Sequence, residues 1–511
     1  MTISTAHISE RTLGGSWFGR TIFAAGLTVY VAFATLVAVV YPMVAPVFLI
    51  PLGLAVLTVL PTSRTLPRNT LFAGVFVGTV LLALWPVYIH VKVSPLPILT
   101  PARVILYAVS AAWLFEMICV PHRRAQLAST IKSNRVIFGC FAVFYLAHVV
   151  SLPLAHGRAI AVPEFIRQTI IWFIPFLIAV TYCRHPKDLK RLVSALTVIA
   201  SILGTIAIAE AATKTLLASI LSPLIADNAE WLRIAQAEKI RDGAFRAQAV
   251  HTHPLSLGEY LAIFAPFALA QMADGKSFGN KALWFGAFLL IIVGALATNS
   301  RAALLAVLAT VTLMGTFMAL RFVYHPNRQA FRPIVGMIMA GALAFSPVAF
   351  VGLNSYISGS GATSASNSSQ ARLDQIEMAL PKIAKRPLNG YGIGRSTIVL
   401  GYWGRALTLD NYFLSLALDM GILGPIIFLV IFLSIARKSH VNSRATESPY
   451  QYFYLAFAAS ILGFLLCRSV LSITSNLGVV YIMIGAFLGA NPAMDRLRQT
   501  LDTARPAPTV E

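Results

Sequence analysis

Charged residues are scarce in this sequence. Only 12% of its 511 residues are Asp, Glu, Lys or Arg, where soluble domains carry roughly 25%. That shortfall excludes a soluble globule, because too little polar sequence remains to coat one. Acidic residues are scarcer still: 19 Asp and Glu stand against 40 Lys and Arg, a formal net charge of +21. Such an excess can signal nucleic-acid binding. Here the basic residues are scattered through connecting segments, with no continuous stripe or interleaved aromatics, which excludes that class. Cysteine is limited to Cys119, Cys140, Cys183 and Cys467, all in or beside apolar runs. Their spacing matches no metal-ligand pattern, so they read as small buried hydrophobes. No internal repeat is visible. No cleavable signal peptide is evident, because the first apolar run follows about 20 polar residues and leads straight into a second.

Hydrophobic residues are what the chain has in abundance, at 57%. Apolar runs of about 20 residues recur along nearly the whole length, each long enough to cross a bilayer core of about 30 Å. The sequence predicts an all-α polytopic membrane protein of about 12–14 transmembrane helices. Fourteen runs lie near 21–40, 43–61, 70–91, 101–120, 136–154, 166–183, 192–210, 254–272, 282–299, 302–321, 334–352, 411–436, 452–471 and 475–491. The pairs at 21–61 and 282–321 are joined by tight turns, and either pair can instead be one broken helix. Lys and Arg cluster in alternate connections, among them Arg123, Arg124, Arg184, Lys187, Lys190, Arg191, Arg321, Arg437 and Lys438. Cytoplasmic loops carry such an excess, so both termini are expected inside. The expected organisation is a tail at 1–20, helices in 21–210, an outer loop at 211–253, helices in 254–352, a large outer loop at 353–410, helices in 411–491 and a tail at 492–511.

The two long outer segments break the charge pattern, since outer loops are normally poor in Lys and Arg. The larger collects Arg372, Lys382, Lys385, Arg386, Arg395 and Arg405. Within it, the Gly, Ser and Asn of 358–370 read as a flexible lead-in. The apolar spacing of Leu373, Ile376, Leu380 and Ile383 predicts a short amphipathic helix over 371–384. An arginine fork suits bidentate phosphate binding, which marks Arg372 and Arg395. Gly390, Gly392 and Gly394 either make sharp backbone turns or offer their N–H groups as an anion nest. Asp410 opens the next apolar run. It can cap that helix or act as a general base, with Asn411 orienting it or bonding a sugar. Arg301 sits in an otherwise uncharged turn between two runs, where an ionisable group is a functional candidate unless it snorkels to the interface. Arg246, His251 and His253 close the smaller outer segment and suggest acid–base or acceptor-binding chemistry. No third ligand accompanies the histidines, so no metal site is expected. Glu116 and Glu259 fall inside predicted spans. Buried carboxylates of that kind pair with a cation or line a polar cavity, which keeps a transporter in view.

Three elements in order carry a resemblance to a known family. They are the stretch Arg246, His251, His253, Pro254 and Gly258 entering a span; the Ser300, Arg301, Ala302 turn; and the outer loop with Arg372, Pro387, Gly390, Gly392, Gly394, Asp410, Asn411 and Tyr412, closed by Met420, Gly421 and Gly424. Over roughly 240–430 the chain resembles the O-antigen ligase and Wzy-type polysaccharide polymerase superfamily. That resemblance implies a membrane glycosyltransferase of the C type, without cofactor. Its donor would be a glycan on undecaprenyl diphosphate at the periplasmic face of a bacterial inner membrane, and its acceptor a glycan or lipid, alongside other polysaccharide assembly proteins. It further implies that Arg301 and Arg372 hold the diphosphate and that the position of Asp410, commonly His in the family, activates the acceptor hydroxyl. Arg246, His253, Asn411, Gly392, Gly394 and Arg395 are the expected substrate-binding residues. Three functions follow in order of preference: a polymerase of lipid-linked repeat units, a ligase moving finished glycan onto lipid A core or protein, and a transporter or flippase.

Overall fold

In hydrocarbon every backbone N–H and C=O must be satisfied within the protein, so an apolar run that enters a bilayer becomes a helix. The computed structural model follows this constraint. It describes residues 68–91, 99–153, 155, 158–221, 240, 243–323, 362–401, 409–444 and 450–503. Apart from isolated bridge residues at Val91, Leu99 and Ala244, the regular elements among them are helical. The described residues of Leu66–Trp113 and His122–Glu511 form one compact unit, and the described candidate site residues lie in it.

Besides two single-turn helices, Leu217–Ile220 and Ser396–Val399, the helices are α1 (Arg68–Leu84), α2 (Pro101–Cys119), α3 (Pro121–Ser133), α4 (Arg135–Ser151), α5 (Arg158–Gln168), α6 (Ile174–Tyr182) and α7 (Pro186–Thr213). A single π turn, Thr169–Phe173, joins α5 to α6. There follow α8 (Pro254–Asp274), α9 (Phe278–Ala297), α10 (Arg301–Val323), α11 (Ala362–Lys385), α12 (Tyr412–Met420), α13 (Leu423–Ser443), α14 (Gln451–Arg468) and α15 (Leu477–Thr503). Among the described residues eight helices are long and apolar enough to cross a membrane, or up to nine if the bent pair α3 and α4 is one span. The runs expected at 21–40, 43–61 and 334–352 lie outside the described residues.

Three local expectations change. The connection before α4 is itself a helix, α3, bent by 101° from α4 and carrying Arg123, Arg124 and Lys132. The run expected as one span over 411–436 is two helices, α12 and α13, broken at Gly421. Gly421 has φ 83°, and a Cβ there would fall 2.5 Å from the Pro387 carbonyl oxygen. Ile422 N–H donates to that same oxygen at 2.8 Å. Only glycine permits both the left-handed turn and the close approach, so the break docks the outer loop onto the bundle. The amphipathic helix, α11, begins at Ala362, inside the stretch expected to be a flexible lead-in.

The core is built around α8, which packs against α7, α9, α10 and α14. Its crossing with α10 is unusually close: a Cβ on Gly258 would lie 2.1 Å from the Ala303 Cβ. Small residues let membrane helices approach in this way. One end of the bundle is basic. There Arg184 donates to Thr130 Oγ1 at 3.0 Å and Lys190 pairs with Asp274 at 2.8 Å.

Gly258→Ala is expected to destabilise the protein by about 1–3 kcal/mol through overpacking. Adding Ala303→Gly should recover most of the loss. Thermal unfolding midpoints in detergent measure both. A Gly258→Ala midpoint equal to wild type would mean that the crossing is not tight.

Candidate functional site

Four stretches meet at the end of the bundle opposite the basic one: 243–253, the 298–300 turn, the outer loop, and the 469–476 connector between α14 and α15. The connector is anchored by a buried ion pair. Arg468, the last residue of α14, and Glu259 of α8 have side chains that are 0% exposed. Arg468 Nε donates to Glu259 Oε1 at 2.7 Å, and its Nη1 to the Ile473 carbonyl at 2.8 Å. Its guanidinium lies between the rings of Tyr412 and Phe464, at 5.4 and 5.0 Å from their centroids. Asn476 Nδ2 donates to Glu259 Oε2 at 2.9 Å and to the Ser256 carbonyl at 2.7 Å. Asn476 Oδ1 meets His251 Nε2 at 3.2 Å. Burial pushes the His251 imidazole down to about 4, against the opposing pull of its bond to Asn476. His251 is therefore a neutral structural donor. The sequence reading kept Glu259 as a possible transport carboxylate and passed over Arg468. An arginine inside the predicted 452–471 span was the available signal.

The connector reaches outward from this anchor. Ser472 Oγ donates to the Leu409 carbonyl, and Arg167 Nη2 donates to Thr474 Oγ1 at 3.5 Å. Leu409 immediately precedes Asp410, so the segment bearing Asp410 hangs from the connector that Asn476 ties to His251.

Arg246 and Arg301 flank the turn between α9 and α10. Ala247 N–H donates to the Ala297 carbonyl at 3.1 Å, and Arg246 Nε to the Thr298 carbonyl at 3.3 Å. The turn is tightened by Asn299 at φ 44° and capped by Ser300 Oγ, which accepts from Ala303 N–H at 3.4 Å. Arg301 is thus the first residue of α10. A helix N-terminus carries positive partial charge and favours anions, so a guanidinium there adds to an anion-attracting field. His253 caps α8, its Nδ1 accepting from Leu255 N–H at 3.2 Å. That bond puts the proton of the neutral ring on Nε2.

The outer loop has a small core of its own. Ala379 and Ile383 of α11 pack with Leu400, Leu409, Ala417 and Leu418, which lays α11 across α12. Arg372 Nε then stands 3.6 Å from Asp410 Oδ2, and both side chains are about one-third exposed, 31% and 30%. Gln375 Oε1 accepts from Asp410 N–H at 2.9 Å. The cap of α12 is Asn411, whose Oδ1 accepts from Leu414 N–H at 3.1 Å. Asp410 is thereby released from the capping role the sequence allowed it. Arg405 lies outside the described residues.

The glycine turn is a correction. Its N–H groups are committed within the protein. Gly392 N–H donates to the Asp419 carbonyl at 2.9 Å. Gly394, Arg395 and Ser396 N–H donate to the Asp419 carboxylate at 3.1, 3.1 and 2.8 Å. The nest exists, but the protein's own Asp419 fills it. Gly392 and Gly394 therefore shape the loop and present no free N–H to a substrate. Burial pushes the Asp419 carboxyl up to about 7, against three N–H donors that favour the charged form. Arg395 remains half-buried beside this turn, its Nε without a hydrogen-bond partner among the described residues.

Residues 286–429 match the family model Wzy_C, O-antigen ligase, which supports the O-antigen ligase/Wzy-type superfamily of membrane glycan ligases and polymerases. The matched region holds Arg301, Arg372, Arg395, Asp410 and Asn411, and excludes Arg246, His253, Glu259 and Arg468. No curated protein gives a significant match.

Arg468→Leu leaves Glu259 buried and unpaired, and should cost about 3–5 kcal/mol. The double variant with Glu259→Leu should cost less than Arg468→Leu alone. Unfolding midpoints and membrane yield test this, and additive losses would contradict the coupling. His251 has a folded-state pKa below its ordinary value of 6.5. Its neutral form thus contributes stability that is complete above pH 6.5 and lost as pH falls from 6.5 towards 4. His251→Gln should flatten that part of the stability profile.

Proposed function

We propose, on the premise of the superfamily its Wzy_C region supports, that the protein polymerises lipid-diphosphate-linked oligosaccharide repeat units for an exopolysaccharide or O-antigen. In this reading it sits in the inner membrane of a bacterium with both termini cytoplasmic. Its glycan-transfer site opens at the periplasmic face, and the donor is carried on undecaprenyl diphosphate. The observation that carries the proposal is the Arg372–Asp410 pair. It brings an anion-binding guanidinium and a carboxylate together, and the 469–476 connector ties its segment to the side of the bundle that bears Arg246 and Arg301.

The chemistry is a single displacement. The acceptor hydroxyl oxygen bonds to the anomeric carbon as the bond from that carbon to the diphosphate oxygen breaks. The electron pair leaves with the diphosphate on its carrier, the hydroxyl proton passes to the Asp410 carboxylate, and the anomeric configuration inverts. Arg301 and Arg372 hold the diphosphate and stabilise the charge that develops on it, as preorganised cations do. These guanidinium groups make the transfer metal-independent. Arg372 is shared: when a diphosphate takes it over, Asp410 turns to the acceptor hydroxyl within hydrogen-bond reach. Arg246, Arg395 and the His253 Nε2–H bind donor or acceptor oxygens. The Asn411 amide N–H groups do the same, because its carbonyl oxygen is spent on the α12 cap. The lipid tail lies against the apolar helices.

A second reading is favoured by the description of the matching family. In that reading the same site acts as an O-antigen ligase, and the glycan it moves to lipid A core or protein is finished. Asp410, where the family commonly has His, argues for the polymerase.

Arg301→Ala, Arg372→Ala and Asp410→Asn should each abolish long glycan chains in cells, with the protein still in the membrane. Rate losses on the order of 100-fold or more fit a lost charge stabiliser or base. Under the polymerase reading, single repeats accumulate on the carrier; under the ligase reading, finished polymer accumulates there. Normal chain length in all three variants would refute the site.

A further inference from the structure

At the basic end of the bundle, away from the glycan site, a cleft of about 670 Å³ opens between α1 and α7. Its walls are Phe72, Ala73 and Phe76 of α1, Lys187, Lys190, Arg191 and Ser194 of α7, and Tyr450. The apolar residues come from one helix and the cations from the first turns of the other. The Phe72 and Phe76 rings stand 6.4 Å apart on one face of α1.

The level of the cleft in the bilayer follows from α7. At the far end of this continuous helix, the Glu210 carboxylate accepts from Gln248 and Ala249 N–H, both at 2.8 Å, among the loops of the glycan site. Lys190 lies 20 residues earlier in the same helix, about 30 Å at 1.5 Å per residue. That equals the thickness of a hydrocarbon core. The cleft therefore straddles the opposite membrane interface, with cations at headgroup level and phenyl rings at the level of the first chain carbons.

Two carboxylates lie near. Asp274 pairs with Lys190 at 2.8 Å. The charge of Asp188, which is 9% exposed, reaches Tyr450, whose hydroxyl pKa is raised by burial and further by that charge. Lys187 and Arg191 are therefore the cations left at the rim. Lys190 also lies 5.8 Å from the centre of the Tyr450 ring, which orders that wall. Lys187 and Arg191, one turn apart on α7, stand exposed at the rim. An apolar slot crowned by two exposed cations at a bilayer interface matches one kind of molecule: an anionic headgroup joined to a hydrocarbon chain.

We propose that this cleft is a binding site for an anionic phospholipid of the leaflet opposite the glycan site. The phosphodiester sits between Lys187 and Arg191, and an acyl chain lies over Phe72, Ala73 and Phe76. The inference is independent of the glycosyl-transfer reading, because no residue of the cleft belongs to that site.

The test uses the full-length protein in phosphatidylcholine nanodiscs, with labelled phosphatidylglycerol as the probe. Wild type should retain the probe through purification, and added salt should release it. The Lys187→Ala/Arg191→Ala double variant should weaken retention by about thirtyfold, two cations each contributing near the membrane surface. Lys281→Ala, an exposed cation on α9 that packs beside Gly275 and does not line the cleft, should leave retention unchanged. Ala73→Trp fills the slot from its exposed, lipid-facing side and should expel the probe with both cations intact. Equal loss in the Lys281 variant would reduce the effect to general surface charge and overturn the proposal. So would unchanged retention in the double variant or in Ala73→Trp. Efficient cross-linking of Phe72→Cys or Phe76→Cys to cysteines placed in 43–61, undiminished by the probe, would show that the chain's own segment fills the cleft, and would equally overturn it.

Discussion

A carboxylate and a guanidinium closed off from water set the terms for this end of the molecule. Removing two such charges from water costs several kcal/mol per ion, which is recovered only with good geometry and further hydrogen bonds to the remaining donors and acceptors. Glu259 and Arg468 meet that condition. Arg468 divides its donors between Glu259 and the Ile473 carbonyl, and Asn476 supplies the second bond to Glu259. Those extra bonds fix the backbone of the 469–476 connector. The connector in turn holds Leu409, Arg167 and His251. A pair that satisfies itself locally thus becomes the reference point for loops that have little core of their own.

Two aspartates in the outer loop illustrate how environment separates roles. Asp419 is buried in a ring of backbone N–H groups, and its carboxyl oxygens are spent on holding the glycine turn. Asp410 is nearly a third exposed and faces an arginine across 3.6 Å. A carboxylate with access to solvent that faces its cation across 3.6 Å can exchange partners more readily than one wrapped by three N–H donors. The same logic separates the histidines: His251 is sealed against Asn476, while His253 caps a helix with one nitrogen. Within each pair, the two residues differ in how far they are closed off from solvent.

The bundle is also polarised along its length. Anion-attracting groups appear at both ends but in different settings. At one end Arg246 bonds the turn between α9 and α10 and Arg372 faces Asp410. At the other, cations rim an apolar cleft. The first setting suits a charged headgroup delivered above the membrane, and the second suits a lipid that never leaves it. α7 connects the two across one bilayer thickness.

By itself the sequence determined the all-helical membrane fold and most helix positions, because a run of apolar residues long enough to span hydrocarbon can satisfy its backbone in only one way. The expected 101–120 and 254–272 runs correspond to Pro101–Cys119 and Pro254–Asp274. It also singled out Arg301, Arg372 and Asp410 as candidates, since arginines and a carboxylate are conspicuous in so apolar a chain. Tertiary structure decided which polar groups are spent and which remain. The partners of Glu259 and Asp419 lie 209 and 23–25 residues away, and no local pattern encodes such a pairing. The break at Gly421 was likewise hidden, because glycine is tolerated in a membrane helix until a neighbouring carbonyl, here Pro387, occupies the space a side chain would need.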